Sequence, residues 1–452
     1  MQVNRISRFT YQNSKRAIAL WVLFVWSHFS YAQDNFWSLE DCLEYALDNN
    51  LDIALSQYDL QSAERVFKDN KFSLLPTLNS NVTHGYNWGK SIDPFTNEFA
   101  SSRVRTNNLY LNSDWLLFSG MSKYHLRKKN EDQYRYQQYN QEVLKRNLKI
   151  DVTAQYLQVL MAYQLKMIAE EQLKYSQGEL RRIKVLVELD ANAPRDALRM
   201  NAQLQADSLE FIKTENQLAL SMLQLKQYLN IDETQDFHIN LASQSNQSLS
   251  EMKAVESLPL VALPEMKQVE LESSMAMHQW KQAKGERYPS LYLSGSLGSG
   301  YSGNNLEIVN DVPVAKSFGN QLKDNFYQSL TMTLAIPIFN NAQVSQDIAL
   351  AQIAHQQTTI KKKQIYWDLI RKIEQTKVEV LNAQSEAESA AQSYQSAKAS
   401  FDATAILYRE GRAGFIDYLE ERNALFRAQV ESDKAKVQYV FKLKVLGYYL
   451  DN

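Results

Sequence analysis

The sequence predicts a mostly α-helical protein with a β-barrel portion, built from two internal repeats. Similar motifs occur in both halves of the chain, where Leu75-Pro76-Thr77-Leu78 and Tyr288-Pro289-Ser290-Leu291 each open a strand-like segment. In each half, a very long stretch almost free of glycine and proline follows the strands. Recurrence at a similar distance indicates that one structural unit occurs twice. Each repeat is therefore predicted to join a β-hairpin to a long helical hairpin.

The N-terminus has the features of a secretory signal. Lys15 and Arg16 precede an apolar segment over residues 17–26, and Ser30-Tyr31-Ala32 ends in a small residue. The apolar segment is shorter than the roughly 20 residues that a membrane-spanning helix needs. We therefore expect a signal peptide at residues 1–32, a first structural repeat at 33–229, an inter-repeat connector at 230–262 and a second structural repeat at 263–452.

The composition argues against two classes of function. The chain has 49 basic and 51 acidic residues, and loss of four basic residues with the signal peptide leaves 45 against 51, a net charge of −6. A mildly acidic exported chain without a basic stripe is not expected to bind nucleic acid. Cys42 is the only cysteine, which excludes an intrachain disulfide, and the six histidines lack the spacing of a metal site. Because no phosphate loop or nucleophile motif occurs, we expect no cofactor and no enzyme activity.

Two stretches predict helices of unusual length. Residues 338–410 contain neither glycine nor proline, and a continuous helix there would extend roughly 110 Å. Gly178 is the single interruption in residues 121–190, and one glycine need not end a helix. Shorter helices are predicted from Ser38 to about Lys71 and over residues 195–229, 264–286 and 415–446.

Small side chains follow the second long stretch at the spacing of packed helices. The stripe advances by alternating steps of four and three residues through Ala383, Ala387, Ala390, Tyr394, Ala397 and Phe401. Narrow seams of this kind suit helices arranged around a water-filled cylinder, whereas a solid bundle needs a broader apolar face. An ordinary two-stranded coiled coil is the alternative interpretation.

Four segments alternate between apolar and polar residues and predict amphipathic strands. Their apolar side is expected to face lipid, and it comprises Leu78, Val82, Leu109, Leu111, Trp115, Leu117, Leu291, Leu293, Leu330, Met332 and Leu334. Alternation over about ten residues with aromatic side chains near the ends is typical of outer-membrane β-barrels. A soluble half-buried sheet would show the same alternation, but all four segments share it and the export signal favours the barrel.

Four strands cannot close a barrel by themselves, because the smallest bacterial barrels have eight strands. Unpaired sheet edges are not tolerated in lipid. We therefore expect several chains to pool their strands. The predicted outer loops, residues 89–106 and 303–324, are long, as in other bacterial barrels.

Several segments together resemble the TolC family of outer-membrane efflux proteins. They are Ser38-Leu39-Glu40-Asp41-Cys42-Leu43, the Leu-Pro and Tyr-Pro strand starts, Ile336-Pro337-Ile338-Phe339, Tyr408-Arg409-Glu410-Gly411 and Asp417-Tyr418-Leu419. The resemblance covers nearly the whole exported chain. The segment from Gly89 to Pro94 is similar to outer loops of Bacteroidetes members of the family.

The resemblance implies a homotrimer in the outer membrane. Its twelve-strand barrel would continue into a twelve-helix tunnel in the periplasm, with the connector in the equatorial region. The expected function is the exit duct of a tripartite efflux or type I secretion system. The expected partners are a periplasmic membrane fusion (adaptor) protein, an inner-membrane transporter and outer-membrane lipids. A periplasmic coiled-coil adaptor or scaffold is the competing interpretation, although it leaves the four strands unexplained.

The resemblance also implies a gate at the periplasmic end. Asp417 and Glu420 match two acidic positions that narrow the channel, and three chains would form two stacked acidic rings. Tyr408 and Asp196 match the positions of polar links that hold the tip closed, while the family's tip arginine falls on Ala413. The alternative is that both acids are solvated residues at a helix start, where the positive end of the helix dipole favours them.

Overall fold

The computed structural model describes residues 36–89, 91–92, 97, 99–100, 103–191, 193–232, 237–240 and 262–450. The expected signal peptide, most of the expected connector and half of the Gly89–Pro94 segment lie outside these residues. The chain divides into two compact units. The first contains the described residues of Met1–Asn49, Asp151–Lys253 and Ala390–Val437, and the second contains those of Asn50–Ile150, Ala254–Ser389 and Gln438–Asn452.

Long helices dominate the chain, as the sequence predicts. The helices are α1 (Leu39–Asn49), α2 (Leu51–Asp69), α3 (Ser122–Glu188), α4 (Pro194–Leu229), α5 (Pro264–Gly285), α6 (Phe318–Asp324), α7 (Gln343–Arg409) and α8 (Phe415–Leu450). Helices α3 and α7 each have 67 residues, and α4 and α8 each have 36. The matching lengths agree with two internal repeats.

Two helix boundaries differ from the sequence prediction for local reasons. The helix predicted to run from Ser38 to Lys71 is interrupted at Asn50, whose backbone is extended and whose side chain accepts hydrogen bonds from the N–H groups of Asp52 and Ile53. Asn50 is therefore an N-cap that starts a second helix. Helix α7 begins only at Gln343, because Asn341 and Ala342 have left-handed φ angles of 50° and 60°. Ser38 and Asp41 form a capping box at the start of α1, since the Asp41 N–H donates to Ser38 Oγ and the Ser38 N–H donates to Asp41 Oδ2.

Four long strands form one antiparallel sheet in the second unit. The four long strands are β2, β5, β7 and β10. In chain order, the strands of the described residues are β1 (Phe36–Trp37), β2 (Thr77–Asn87), β3 (Ser91–Ile92), β4 (Phe99–Ala100), β5 (Val104–Ser119), β6 (His238–Ile239), β7 (Ser290–Ser302), β8 (Leu306–Val309), β9 (Val312–Ala315) and β10 (Tyr327–Ala335). The sheet has the order β10-β7-β5-β2, so β5 and β7 join the two predicted hairpins. Strands β2 and β10 are the edges.

The first unit includes a small core beside β1 and β6, which pair in parallel. The Tyr156 hydroxyl is within hydrogen-bond distance of two carbonyl oxygens there, that of Asn240 at 3.0 Å and that of Trp37 at 3.4 Å. Cys42 on α1 is fully buried, and burial, reinforced by Asp41 and Glu40, raises the pKa of its thiol to about 12. Both facts indicate a structural role for Cys42 in the packing of α1.

In the second unit, the start of α3 and the end of α5 lie in backbone contact. A Cβ atom on Gly120 would lie 2.1 Å from the carbonyl oxygen of Gly285, and Gly120 has a φ of +59°. Both facts favour glycine, which has no Cβ and tolerates this conformation. The contact joins the beginning of one long helix to the second repeat.

Within the described residues, no helix combines the length and the hydrophobicity that crossing a bilayer requires.

Candidate functional site

The strand register places most of the expected lipid-facing residues on one face of the sheet. Residues directly opposite each other in antiparallel strands point to the same face. Leu334 lies opposite Leu291 and Met332 opposite Leu293; Leu293 in turn lies opposite Trp115, and Leu109 opposite Val82. With the period of two along each strand, this face carries Leu78, Val82, Leu109, Leu111, Trp115, Leu291, Leu293, Leu330, Met332 and Leu334.

A β-bulge changes the assignment at the end of β5. The register shifts between Leu116 and Phe118, so that Phe118, rather than Leu117, lies opposite Leu291. A bulge inserts one extra residue into a strand and therefore shifts the alternation by one position. Strict alternation had grouped Leu117 with Leu109, Leu111 and Trp115, and that grouping ends at the bulge.

The other face of the sheet is polar and carries cross-strand hydrogen bonds. Ser294 Oγ donates to Asp114 Oδ1 at 2.7 Å, and Ser296 Oγ donates to Asn112 Oδ1 at 2.8 Å. Asn108 Nδ2 donates to Thr83 Oγ1 at 3.2 Å. The sheet thus has one apolar face and one hydrogen-bonded polar face.

In the first unit, four helix ends meet around a small apolar cluster, which we call the tip cluster. The end of α3 and the start of α4 contribute Leu180, Ile183 and Met200, and the start of α8 contributes Phe415. Partly buried side chains that pack against the cluster are Val187, Ala197, Leu204, Tyr408 and Leu419. The cluster places the end of α7 and the start of α8 against the turn between α3 and α4.

The expected closing residues border the tip cluster. The Tyr408 ring stacks on Tyr418 with centroids 4.6 Å apart, and the Arg182 guanidinium lies 5.4 Å from the Tyr408 ring centre. Asp196 lies in the first turn of α4, beside the cluster residue Ala197, and its side chain is 17% exposed.

The expected gate acids, Asp417 and Glu420, are exposed on α8. Asp417 Oδ2 accepts a hydrogen bond from the Gly414 N–H at 3.2 Å, a contact that stabilises the helix start. Glu420 is one turn further along the helix, so the two carboxylates share a face. The acidic rings stay a prediction.

The sequence interpretation missed a buried charged network beside the tip cluster. Arg422 on α8 and Asp207 on α4 have side chains that are only 1% and 4% exposed, with Nη2 and Oδ2 3.3 Å apart. Arg422 Nη2 also donates to Ser176 Oγ at 2.7 Å and to the Gln172 carbonyl at 3.0 Å. Asp207 Oδ1 accepts from Gln172 Nε2 at 2.9 Å and from Gln203 Nε2 at 2.8 Å. One ion pair therefore links α3, α4 and α8.

Aromatic rings complete the surroundings of Arg422. Its guanidinium lies 4.6 Å from the centre of the Tyr175 ring. Burial lowers the pKa of Arg422, and the Asp207 carboxylate acts in the opposite direction. The Nε and Nη1 atoms of Arg422 are buried without a hydrogen-bond partner among the described residues. The Phe426 ring centre lies 5.3 Å from the same guanidinium, and both ring faces attract its positive charge.

Helical spacing is the one signal in the sequence that points to this pair, and it is weak. Phe415, Tyr418 and Arg422 follow each other at steps of three and four residues, the inward stripe of α8. Asp207 occupies the inward position of α4, seven residues after Met200 and seven before Thr214, and all three are buried. A charged residue at such a position must be paired inside the protein.

Comparisons with known proteins agree with this architecture. Residues 258–446 match the family model described as outer membrane efflux protein. The chain is similar to the outer-membrane channel OprN, with 16% identity, a TM-score of 0.78 and coverage of 91% of this chain and 89% of that one. It is similar to the Campylobacter jejuni CmeC channel, with 16% identity, a TM-score of 0.78 and coverage of 91% and 85%.

A third similar structure is the open state of the Neisseria gonorrhoeae MtrE channel. The identity is 15% and the TM-score 0.75, with coverage of 91% of this chain and 88% of that chain. No curated protein sequence matches the chain. The match to the outer membrane efflux protein model thus covers residues 258–446, and the chain as a whole has the fold of these outer-membrane channels.

Proposed function

We propose that the protein is the outer-membrane exit duct of a tripartite efflux or type I secretion system. It would passively conduct substrate from an inner-membrane transporter across the periplasm and the outer membrane. The match of residues 258–446 to the outer membrane efflux protein model supports efflux as the class of function. The division into a first repeat at 33–229, a connector at 230–262 and a second repeat at 263–452 is part of the proposal.

One observation carries the proposal furthest: an incomplete sheet with an exposed apolar face. Leu78, Leu330 and Met332 on this face are 68%, 76% and 64% exposed. The edge strands β2 and β10 each pair on one side only within the described chain. In lipid, both edges must be paired. Three chains that contribute four strands each would close a twelve-strand barrel and cover every edge.

The long helices support a conduit attached to that barrel. Helices α3, α4, α7 and α8 would supply twelve helical segments in a homotrimer. Their faces are mostly polar, with narrow apolar seams, which suits walls that contact water on both sides. The proposed route for substrate is the polar interior that such a ring encloses.

The tip cluster supports a gate at the periplasmic end. Asp417 and Glu420 are exposed, so three copies could approach a common axis as two acidic rings. Rings of carboxylates attract cations in other channels. Tyr408 and Asp196 border the cluster on α7 and α4. A change in the packing of α8 would therefore alter the contacts of both residues.

The proposed partners are a periplasmic membrane fusion (adaptor) protein, an inner-membrane transporter and outer-membrane lipids. A periplasmic adaptor or scaffold is not favoured, because it would have no use for a sheet with a large exposed apolar face.

Purified protein added to a planar lipid bilayer tests the function directly. We expect stepwise ion currents, and we expect the protein to stay in the outer-membrane fraction after washing with high salt. A protein that washes off with salt and carries no current would instead be a periplasmic scaffold, and the exit-duct proposal would fall.

A further inference from the structure

Helices α3 and α5 pack antiparallel in the second unit through a row of polar contacts. Ser274 Oγ donates to Asp132 Oδ2 at 2.6 Å, and Gln268 Nε2 donates to Asn140 Oδ1 at 2.9 Å. The row ends near the backbone contact between Gly120 and Gly285. Side chains on the two helices are therefore held at fixed distances just beyond the end of the sheet.

Two histidines face each other in this row. His125 is in the first turn of α3 and His278 is in α5, and their Nδ1 atoms are 3.1 Å apart. The ring centres are 5.4 Å apart with an angle of 33° between the planes. Both rings are partly buried, and Tyr124 packs edge-on against His125 at 5.2 Å.

This separation fits two donors to one metal ion. At the Zn–N distance of about 2.0–2.1 Å, two nitrogens 3.1 Å apart subtend an angle of roughly 100° at the ion. That angle lies between those of square-planar and tetrahedral coordination. An ordinary hydrogen bond between two neutral imidazoles gives a similar distance, so the two interpretations require a measurement of metal binding.

A carboxylate lies behind one of the two rings. Asp132 Oδ2 lies 3.9 Å from His278 Nε2, on the side of the ring opposite the pair, and Ser274 holds that carboxylate. Carboxylates behind ligating histidines orient the ring and increase its basicity. Lys128, a nearby cation, is paired with Glu131 at 3.0 Å. Among the described residues no three His, Cys, Asp or Glu side chains are placed to hold a metal together, so water would complete the coordination.

We propose that His125 and His278 bind one divalent transition-metal ion of the Cu²⁺ or Zn²⁺ class, which bridges α3 and α5. Imidazole suits these ions, and the Irving–Williams order predicts that Cu²⁺ binds more tightly than Zn²⁺. The bound ion would fasten the first long helix to the second repeat. This site is independent of the proposed transport function.

Titration of the full trimer with Cu²⁺ tests the site. The protein should be purified without a histidine tag, and its mature N-terminus should be blocked. We expect one Cu²⁺ per chain, with electron paramagnetic resonance hyperfine structure from two imidazole nitrogens. His125→Gln and His278→Gln should each weaken binding about tenfold or more. The exposed His238 lies outside the row, and His238→Gln should leave binding unchanged.

Thermal unfolding with Zn²⁺ gives a second reading that does not depend on the variants. The unfolding temperature of the wild-type trimer should rise with Zn²⁺ concentration, because an ion that binds only the folded state stabilises it. The rise should disappear in both histidine variants. Absence of saturable binding by the wild type, or equal Cu²⁺ affinity in all four proteins, would overturn the proposal and leave a hydrogen bond between neutral rings.

Discussion

Arg422 carries a full charge inside the first unit, where its side chain is only 1% exposed. Transfer of a charge from water is unfavourable, and the attraction to Asp207 offsets that loss only while both partners are present. The network fixes α8 against α3 and α4 a short distance along α8 from Asp417 and Glu420. Any rotation of α8 that opens a gate must therefore move or stretch this ion pair.

Arg422→Ala is expected to lower the free energy of unfolding of the first unit by about 3–5 kcal/mol, because Asp207 is left buried without its partner. Thermal or denaturant unfolding followed by circular dichroism measures the loss. Arg427→Ala on the same helix is the matched control, since Arg427 is exposed and should change stability by about 0.5 kcal/mol or less. Combining Arg422→Met with Asp207→Leu should restore much of the loss. Equal stability of Arg422→Ala and Arg427→Ala would show that the Arg422–Asp207 ion pair does not stabilise the fold.

The acidic rings give a prediction about current. Replacing Asp417 with Asn and Glu420 with Gln should remove block by divalent and trivalent cations and weaken cation selectivity, because both rings lose their charge. Asparagine at 417 retains an acceptor for the Gly414 N–H, so the helix start is preserved. Tyr408→Phe should instead raise conductance by loosening the closed tip. Single-channel recording compares these variants with Glu410→Gln, an exposed tip acid outside the rings. Full cation block in the double variant would contradict the acidic rings. Both acids would then be solvated residues at a helix start.

At the scale of elements, the two faces of the sheet give opposite expectations for the same substitution. Leu111→Arg or Leu334→Arg should cost about 2–4 kcal/mol if the residue lies near mid-bilayer. Asn81→Arg and Thr331→Arg lie on the polar face and should be tolerated. The yield of heat-resistant protein assembled in the outer membrane reports the difference. Similar yields for all four variants would contradict the assignment of one face of the sheet to lipid and the other to water.

The sequence predicted these elements well where its signals are strong. Long runs with at most one glycine and no proline located α3 and α7 to within about five residues, and alternation located the four strands. It failed where one residue decides the geometry. Asn50 interrupts a pattern that is otherwise helical on both sides, and a left-handed Ala342 delays α7 without any signal in its residue type. The bulge at Leu117 depends on the pairing of β5 with β7, which period-two alternation does not encode.

The candidate site depended on a different signal, the resemblance to a family. That resemblance pointed to Asp417, Glu420, Tyr408 and Asp196, whose role in a gate stays a prediction. Arg422 belongs to no quoted motif, and its partner Asp207 is 215 residues away in sequence. Pairing across that distance follows from how α4 and α8 pack, and the heptad positions of the two residues give only a weak sign of it.

At the scale of the whole molecule, the account depends on closure by three chains. One chain supplies four strands with two edges and an exposed apolar face. If three copies pair β2 of one chain with β10 of the next, every strand edge is paired and the apolar faces form one continuous outer surface. Such a contact is heterologous, so it forms a closed ring only if the rotation between copies completes a circle. The gate proposal also requires it, because a ring of acids needs one residue from each chain.

Native mass measurement of the detergent-solubilised protein tests this claim most directly. The account predicts a stable assembly with three times the mass of the exported chain, resistant to dilution. Detection of only a folded monomer, in detergent that preserves the secondary structure, would contradict the shared barrel and the gate rings that depend on it.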